Sequence, residues 1–134
     1  MASDPAAPIL LYVEDEAMTQ VLVETALREA GFAVLLASDG DEALAHLETK
    51  SGDLRGLITD INLGECPDGW DVARSARESI SGLPVVYVSG ASEHEWTAKG
   101  VPHSLMIAKP FAPAQIVVAI SSLLVAAAST PGEC

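Results

Sequence analysis

Five side chains placed just after short apolar runs are of types that could do chemistry together. Glu14 and Asp15 follow Ile9–Val13, Asp60 follows Gly56–Thr59, Ser89 follows Pro84–Val88, and Lys109 comes just beyond Ser104–Ile107. Three carboxylates brought within a few ångströms repel one another, and at an effective dielectric near 20 each close pair costs on the order of a few kcal/mol. A divalent cation is the natural remedy, and a ligand set made only of oxygen points to Mg2+. Mg2+ retains several waters, so such a site stays open to a phosphoryl oxygen. Phosphoryl transfer depends on in-line geometry and on cancelling charge at the equatorial oxygens, tasks within reach of the cation, Lys109 and Ser89. A carboxylate is already ionised at neutral pH, so Asp60 can act as nucleophile without an activating histidine.

These groups meet only if the runs that carry them lie side by side and end at one edge. The four runs above, together with Ala33–Ala37, are short, apolar on successive positions and bounded by turn residues, which predicts strands buried on both faces. Helical spacing fills the intervals. Ala17–Ala30, with Val21, Leu22, Thr25 and Leu27, stops at Gly31. Asp39-Gly40-Asp41 opens a second helix to about Leu47, with Ala43, Leu44 and Leu47 as one stripe. Asp68-Gly69 opens a third, with Trp70, Val72, Ala73, Ala76 and Ile80 inward and Arg74 and Arg77 solvated. Ser92–Lys99 predicts a weaker helix and Ala112–Ala127 a stronger one, with Ile116, Val117, Ile120, Leu123 and Leu124 on a common side. Alternation of this kind requires helical crossovers, hence an α/β fold with a doubly wound parallel sheet of five strands and helices on both faces. In such sheets ligands bind beyond the carboxyl ends of the strands, where the five polar groups sit.

The segments Leu-Tyr-Val-Glu-Asp-Glu (11–16), Leu-Ile-Thr-Asp-Ile-Asn-Leu (57–63), Val-Val-Tyr-Val-Ser-Gly (85–90) and Ile-Ala-Lys-Pro-Phe (107–111) resemble, in order, the motifs of the response-regulator receiver family of two-component signalling in bacteria. The resemblance covers residues 9–125 and implies a flavodoxin-like sheet of strand order 2-1-3-4-5. It implies that Asp60 is the phosphoacceptor, that Glu14, Asp15, Asp60 and the backbone carbonyl of Asn62 hold Mg2+, and that Ser89 and Lys109 serve the phosphoryl group. Its implied partners are a sensor histidine kinase or a histidine phosphotransfer protein. A downstream protein or a second copy would use the region 92–127, where Trp96 and Val101 are apolar candidates. A cis peptide at Lys109-Pro110 is also implied. The chain departs from the family in three places. Gly64 replaces a proline four residues after Asp60, the 64–69 loop is longer by one residue, and Met106 stands where a rotating aromatic is usual. Ala91, two residues after Ser89, cannot orient an attacking water, so self-dephosphorylation is not expected to be fast.

Composition bounds the remaining options. A formal charge of −12, from 19 acidic and 7 basic residues, offers no field to attract a nucleic-acid backbone or an anionic membrane. No signal peptide is legible at the N-terminus, and Ile116–Ala128 is too short to span a bilayer. Cys66 and Cys134 form no metal or redox motif, in keeping with reduced thiols and a cytoplasmic location. A leader over 1–8, one receiver domain over 9–127 and a flexible tail over 128–134 are expected, so the chain reads as a stand-alone switch, not a turnover enzyme. His46, His94 and His103 share no ligand spacing and read as surface or structural residues. Trp70 reads as core and Trp96 as an interface residue. Two other functions remain open: a small Mg2+-dependent phosphatase with an aspartyl nucleophile, and a binding module that works without phosphorylation. The phosphatase chemistry normally wants a second acid two residues after the nucleophile, where Asn62 stands.

Overall fold

Each apolar run becomes a strand of one parallel sheet in the computed structural model, which describes residues 7–64, 66–90 and 93–129. The elements alternate as β1 (Ile9–Val13), α1 (Ala17–Glu29), β2 (Ala33–Ala37), α2 (Gly40–Lys50), β3 (Leu54–Asp60), α3 (Gly69–Ser79), β4 (Val85–Ser89), α4 (Trp96–Lys99), β5 (Ser104–Ala108) and α5 (Pro113–Ser129). The strands lie in the order β2-β1-β3-β4-β5, so the expected doubly wound fold is the one observed.

Successive strand residues point to opposite faces, and the core divides accordingly. On β1, Leu11 and Val13 join Leu57, Trp70, Val72, Val85 and Tyr87 beneath α2 and α3. Leu10 and Tyr12 join Val23, Leu27, Ile58, Ile116 and Ile120 beneath α1 and α5. Each large apolar side chain fully buried in this way contributes about 1.5–3 kcal/mol.

The helix ends follow local chemistry. Asp39 caps α2 by accepting from Glu42 N, and Asp68 and Asp71 form a reciprocal capping box at α3. Gly31, at φ 101°, takes the left-handed position that ends α1.

Several boundaries and orientations differ from the sequence reading. β3 begins at Leu54 and includes Asp60, β5 runs on to Ala108, and β4 begins at Val85 and includes Ser89. Pro84 cannot donate to the ladder, although its carbonyl accepts from Leu57 N at 2.9 Å. α2 extends to Lys50. α4 is a single turn preceded by a 3-10 turn, Glu93–Glu95, and Ser92 lies outside the described residues. α5 continues to Ser129, past the expected start of the tail. Residues 1–6 of the expected leader and 130–134 of the tail lie outside the described residues.

On α1 the inward stripe is Val23 and Leu27, leaving Met18, Val21 and Leu22 exposed. Arg77, expected to be solvated, is half-buried instead. Its Nε donates to Leu83 O at 2.6 Å and its guanidinium reaches His103 O at 3.3 Å. Among the described residues no helix is long and apolar enough to cross a membrane.

Candidate functional site

Strand register gathers the polar groups. Val13 of β1 pairs with Thr59 of β3, which sets Glu14 beside Asp60. Asp60 pairs with Val88, so Ser89 stands one residue further along β4. Ser89 pairs with Ala108, which brings Lys109 to the same edge. The backbone continues the ladder beyond the strands: Glu14 N donates to Ala37 O at 3.0 Å, Ile61 N to Val88 O at 3.0 Å and Lys109 N to Ser89 O at 2.8 Å.

Carboxylate oxygens of Glu14, Asp15 and Asp60 all lie within 4.8 Å of one another. Glu14 is 1% and Asp60 3% exposed, whereas Asp15 is open to solvent. Both oxygens of Asp60 have a donor: Lys109 Nζ lies 2.9 Å from Oδ2, and Asn62 N donates to Oδ1 at 3.2 Å. Ser89 is buried at the end of β4. The structure thus brings together Glu14, Asp15, Asp60, Ser89 and Lys109, with Asn62 adjacent through its N–H.

The electrostatics are those of a crowded acidic crevice. Burial, then the neighbouring Asp60 charge and to a lesser extent Asp15, push the Glu14 carboxyl up from 4.5 to about 7, against the opposing pull of Glu16 N–H and Lys109. For Lys109, burial pulls the ammonium down. The hydrogen bond and charge of Asp60, helped by Glu14 and Asp15, outweigh that pull and hold it above its ordinary value. One ammonium facing three carboxylates under-compensates their charge. The donor set is all oxygen, and it therefore fits a hard divalent cation.

Residues outside the expected set shape the crevice. Tyr12 hydroxyl donates to Glu14 Oε1 at 3.4 Å, Glu16 N donates to Oε2 at 3.2 Å, and Gln20 Nε2 donates to Glu14 O at 3.1 Å. Tyr12 could have been found from the period of two, which sets it on the same strand face as Glu14. Gly69 opens α3 directly against Asp60. A Cβ there would stand 2.2 Å from Asp60 O, so only glycine fits.

The Lys109-Pro110 peptide is cis, as the resemblance implied, and Cys66-Pro67 is cis as well. The 64–69 loop leans on the start of α2, where a Cβ at Gly40 would meet Pro67 O at 2.1 Å. Glu65 of that loop lies outside the described residues. Trp70 is core, its ring tilted against that of Tyr87 with centroids 4.8 Å apart. Trp96 and Val101, the expected interface residues, turn inward. Trp96 is half-buried with its indole N–H on Ser104 Oγ at 2.9 Å, and Val101 is buried with its N–H on the Tyr87 hydroxyl at 3.0 Å.

The family model of the response regulator receiver domain matches residues 10–121. The transcriptional regulatory protein CusR of Escherichia coli K12 is 35% identical over 117 residues, which are 86% of this chain and 50% of CusR. The alkaline phosphatase synthesis regulator PhoP of Bacillus subtilis is 28% identical over 117 residues, 48% of its length. The chain therefore spans about half the length of these curated relatives. A response regulator receiver protein from Sinorhizobium medicae WSM419 superposes with a TM-score of 0.87 at 41% identity, covering 92% of this chain and 98% of that one. The receiver domain of sensor histidine kinase PA1611 from Pseudomonas aeruginosa, whose structure has magnesium coordinated in the active site cleft, shares the fold at 23% identity and a TM-score of 0.75, covering 90% of this chain and 99% of that one. With its sheet order, its strand-end acids and a family match across most of its length, the chain belongs to the response regulator receiver domain family.

Proposed function

We propose that Asp60 accepts a phosphoryl group from a phosphohistidine of a sensor histidine kinase or phosphotransfer protein, and that the receiver domain works as a phosphorylation switch. The observation that carries this reading is the placement of Asp60, buried at a strand end within 4.8 Å of two further acids and 2.9 Å from Lys109. Mg2+ would be held by Glu14, Asp15, Asp60 and the Asn62 carbonyl. Once bound, it supplies positive charge against the phosphoryl oxygens. The magnesium of the P. aeruginosa receiver supports that assignment.

In the transfer, an Asp60 carboxylate oxygen forms a bond to phosphorus while the bond from phosphorus to the donor imidazole nitrogen breaks. The electron pair returns to that nitrogen. Lys109 Nζ, already on Asp60, is placed to follow the negative charge onto the phosphoryl oxygens, and the Ser89 hydroxyl is placed to donate to them. Phosphorylation adds about −1.5 to −2 charge, so the contacts that hold it at Ser89 and Lys109 draw on β4 and on the segment after β5. A changed surface there, within 92–127, is the proposed readout for a downstream protein or a second copy. Exposed Val118 and the cavity of about 490 Å³ between β5 and α5 support that surface.

The donor is proposed to dock on α1. The helix exposes Met18, Val21 and Leu22, and Leu22 borders a cavity of about 390 Å³ shared with Thr19, Lys109, Pro110 and Phe111, beside the mouth of the crevice.

Acetyl phosphate with Mg2+ tests the chemistry by intact-mass measurement. Wild type should gain one phosphoryl group and Asp60→Asn none. No gain in wild type, or an equal gain in the variant, overturns the assignment of Asp60. Release of many phosphates per protein would mark a phosphatase instead.

A further inference from the structure

We propose that Tyr12 is a positioning residue for the cation site, its buried hydroxyl fixing the Glu14 carboxylate so that the other acids and the cation meet it in one orientation. The proposal rests on the reading of Glu14, Asp15 and Asp60 as Mg2+ ligands. Tyr12 is fully buried among Leu10, Val23, Leu27, Ile58 and Ile116 on the α1 and α5 side of the sheet. A purely apolar side chain could fill that space at lower cost, because a hydroxyl taken out of water needs a partner. Among the described residues, its hydrogen-bond partner is Glu14 Oε1, at 3.4 Å. Glu16 N holds Oε2 and Gln20 Nε2 holds the Glu14 carbonyl. The residue is thereby tied at both carboxylate oxygens and at its backbone.

The tie has a physical purpose. Glutamate has one more rotatable bond than aspartate, so an untethered Glu14 would lose more side-chain freedom on binding a cation. A hydroxyl that holds it beforehand removes part of that loss, as preorganised ligand shells do. Partners behind a metal ligand typically change affinity by about 10–100-fold. At 3.4 Å the hydrogen bond is long, which puts the expected effect near the lower end.

Tyr12→Phe keeps the ring and removes only the hydroxyl. Calorimetric titration should show Mg2+ binding weakened about tenfold, with the thermal midpoint of the chelator-treated protein close to wild type. The Mg2+ concentration that half-saturates phosphorylation by acetyl phosphate should rise by the same factor, while the rate at saturating Mg2+ falls far less. Glu14→Asp keeps a carboxylate but withdraws it from the hydroxyl, so adding Tyr12→Phe to it should weaken Mg2+ binding no further. Unchanged affinity in Tyr12→Phe, or an equal loss in the Glu14→Asp background, overturns the proposal, as does a wild type that binds no Mg2+. Tyr12-dependent Mg2+ binding without phosphoryl gain on Asp60 would uphold it while defeating the phosphoacceptor reading.

Discussion

At Glu14 burial and the neighbouring acids oppose ionisation, which links the site to stability. The carboxyl ionises near its ordinary 4.5 when the chain is unfolded and near 7 in the folded protein without a cation. Between those values the folded state holds more protons than the unfolded one. Stability from this group is therefore fully present below about 4.5 and is lost as the pH rises through about 7. With a chelator present, the thermal midpoint should be lower near pH 8 than near pH 5, and Glu14→Gln should recover on the order of 5 °C near pH 8 and little near pH 5. A variant whose midpoint falls with pH as steeply as wild type would show that the strain lies elsewhere. Mg2+ should raise the wild-type midpoint most at the higher pH, where Glu14 is already ionised.

Between elements, β4 and the segment before β5 are joined by polar contacts that no local pattern encodes. Val101 N donates to the Tyr87 hydroxyl at 3.0 Å, Ser104 Oγ donates to Val101 O at 2.7 Å, and Trp96 closes over Gly100, where a Cβ would meet its ring at 2.3 Å. Tyr87→Phe leaves the buried Val101 N–H without an acceptor and should cost about 1–3 kcal/mol in urea unfolding, with an unchanged dependence on denaturant. A loss within experimental error would mean that the loop relaxes to satisfy the amide. The same contacts explain what the sequence could and could not disclose. The strands were legible because Leu57, Ile58 and Val85–Val88 are buried on both faces, which writes burial into consecutive residues. The acids, Ser89 and Lys109 were legible because each closely follows such a run. Arg77 was not, since its carbonyl partner at His103 is 26 residues away. Trp96 and Val101 looked like surface residues for the same reason, their partners on β4 and β5 being brought near only by the sheet. On α1, apolar residues occupy two stripes, and only packing decides that Val23 and Leu27 turn inward.

For the whole molecule, the outward stripe on α1 becomes the feature to explain. A chain with a net charge of −12 has ample polar surface, yet Met18 is 72% and Leu22 57% exposed on α1, and Leu22 borders the cavity that Lys109 also lines. Exposed apolar groups clustered beside a reactive site are a common mark of protein contact. On the proposed reading, a phosphohistidine would be carried to Asp60 on another protein, whose surface would cover the residues around Lys109. A small donor such as acetyl phosphate needs no such surface. Leu22→Glu places a charge in that apolar patch and should slow transfer from a phosphorylated donor protein by about tenfold or more, an interface loss of about 1.4 kcal/mol. The rate with acetyl phosphate should fall far less, because Leu22 borders the cavity beside Lys109 without being one of the groups proposed to hold the phosphoryl group. Val118→Glu, on the exposed face of α5, should leave both rates alone and instead weaken any contact made through the 92–127 surface. Equal slowing of protein and small-molecule donors by Leu22→Glu would place its effect in the crevice itself. Slowing by Val118→Glu in place of Leu22→Glu would move the docking face to α5.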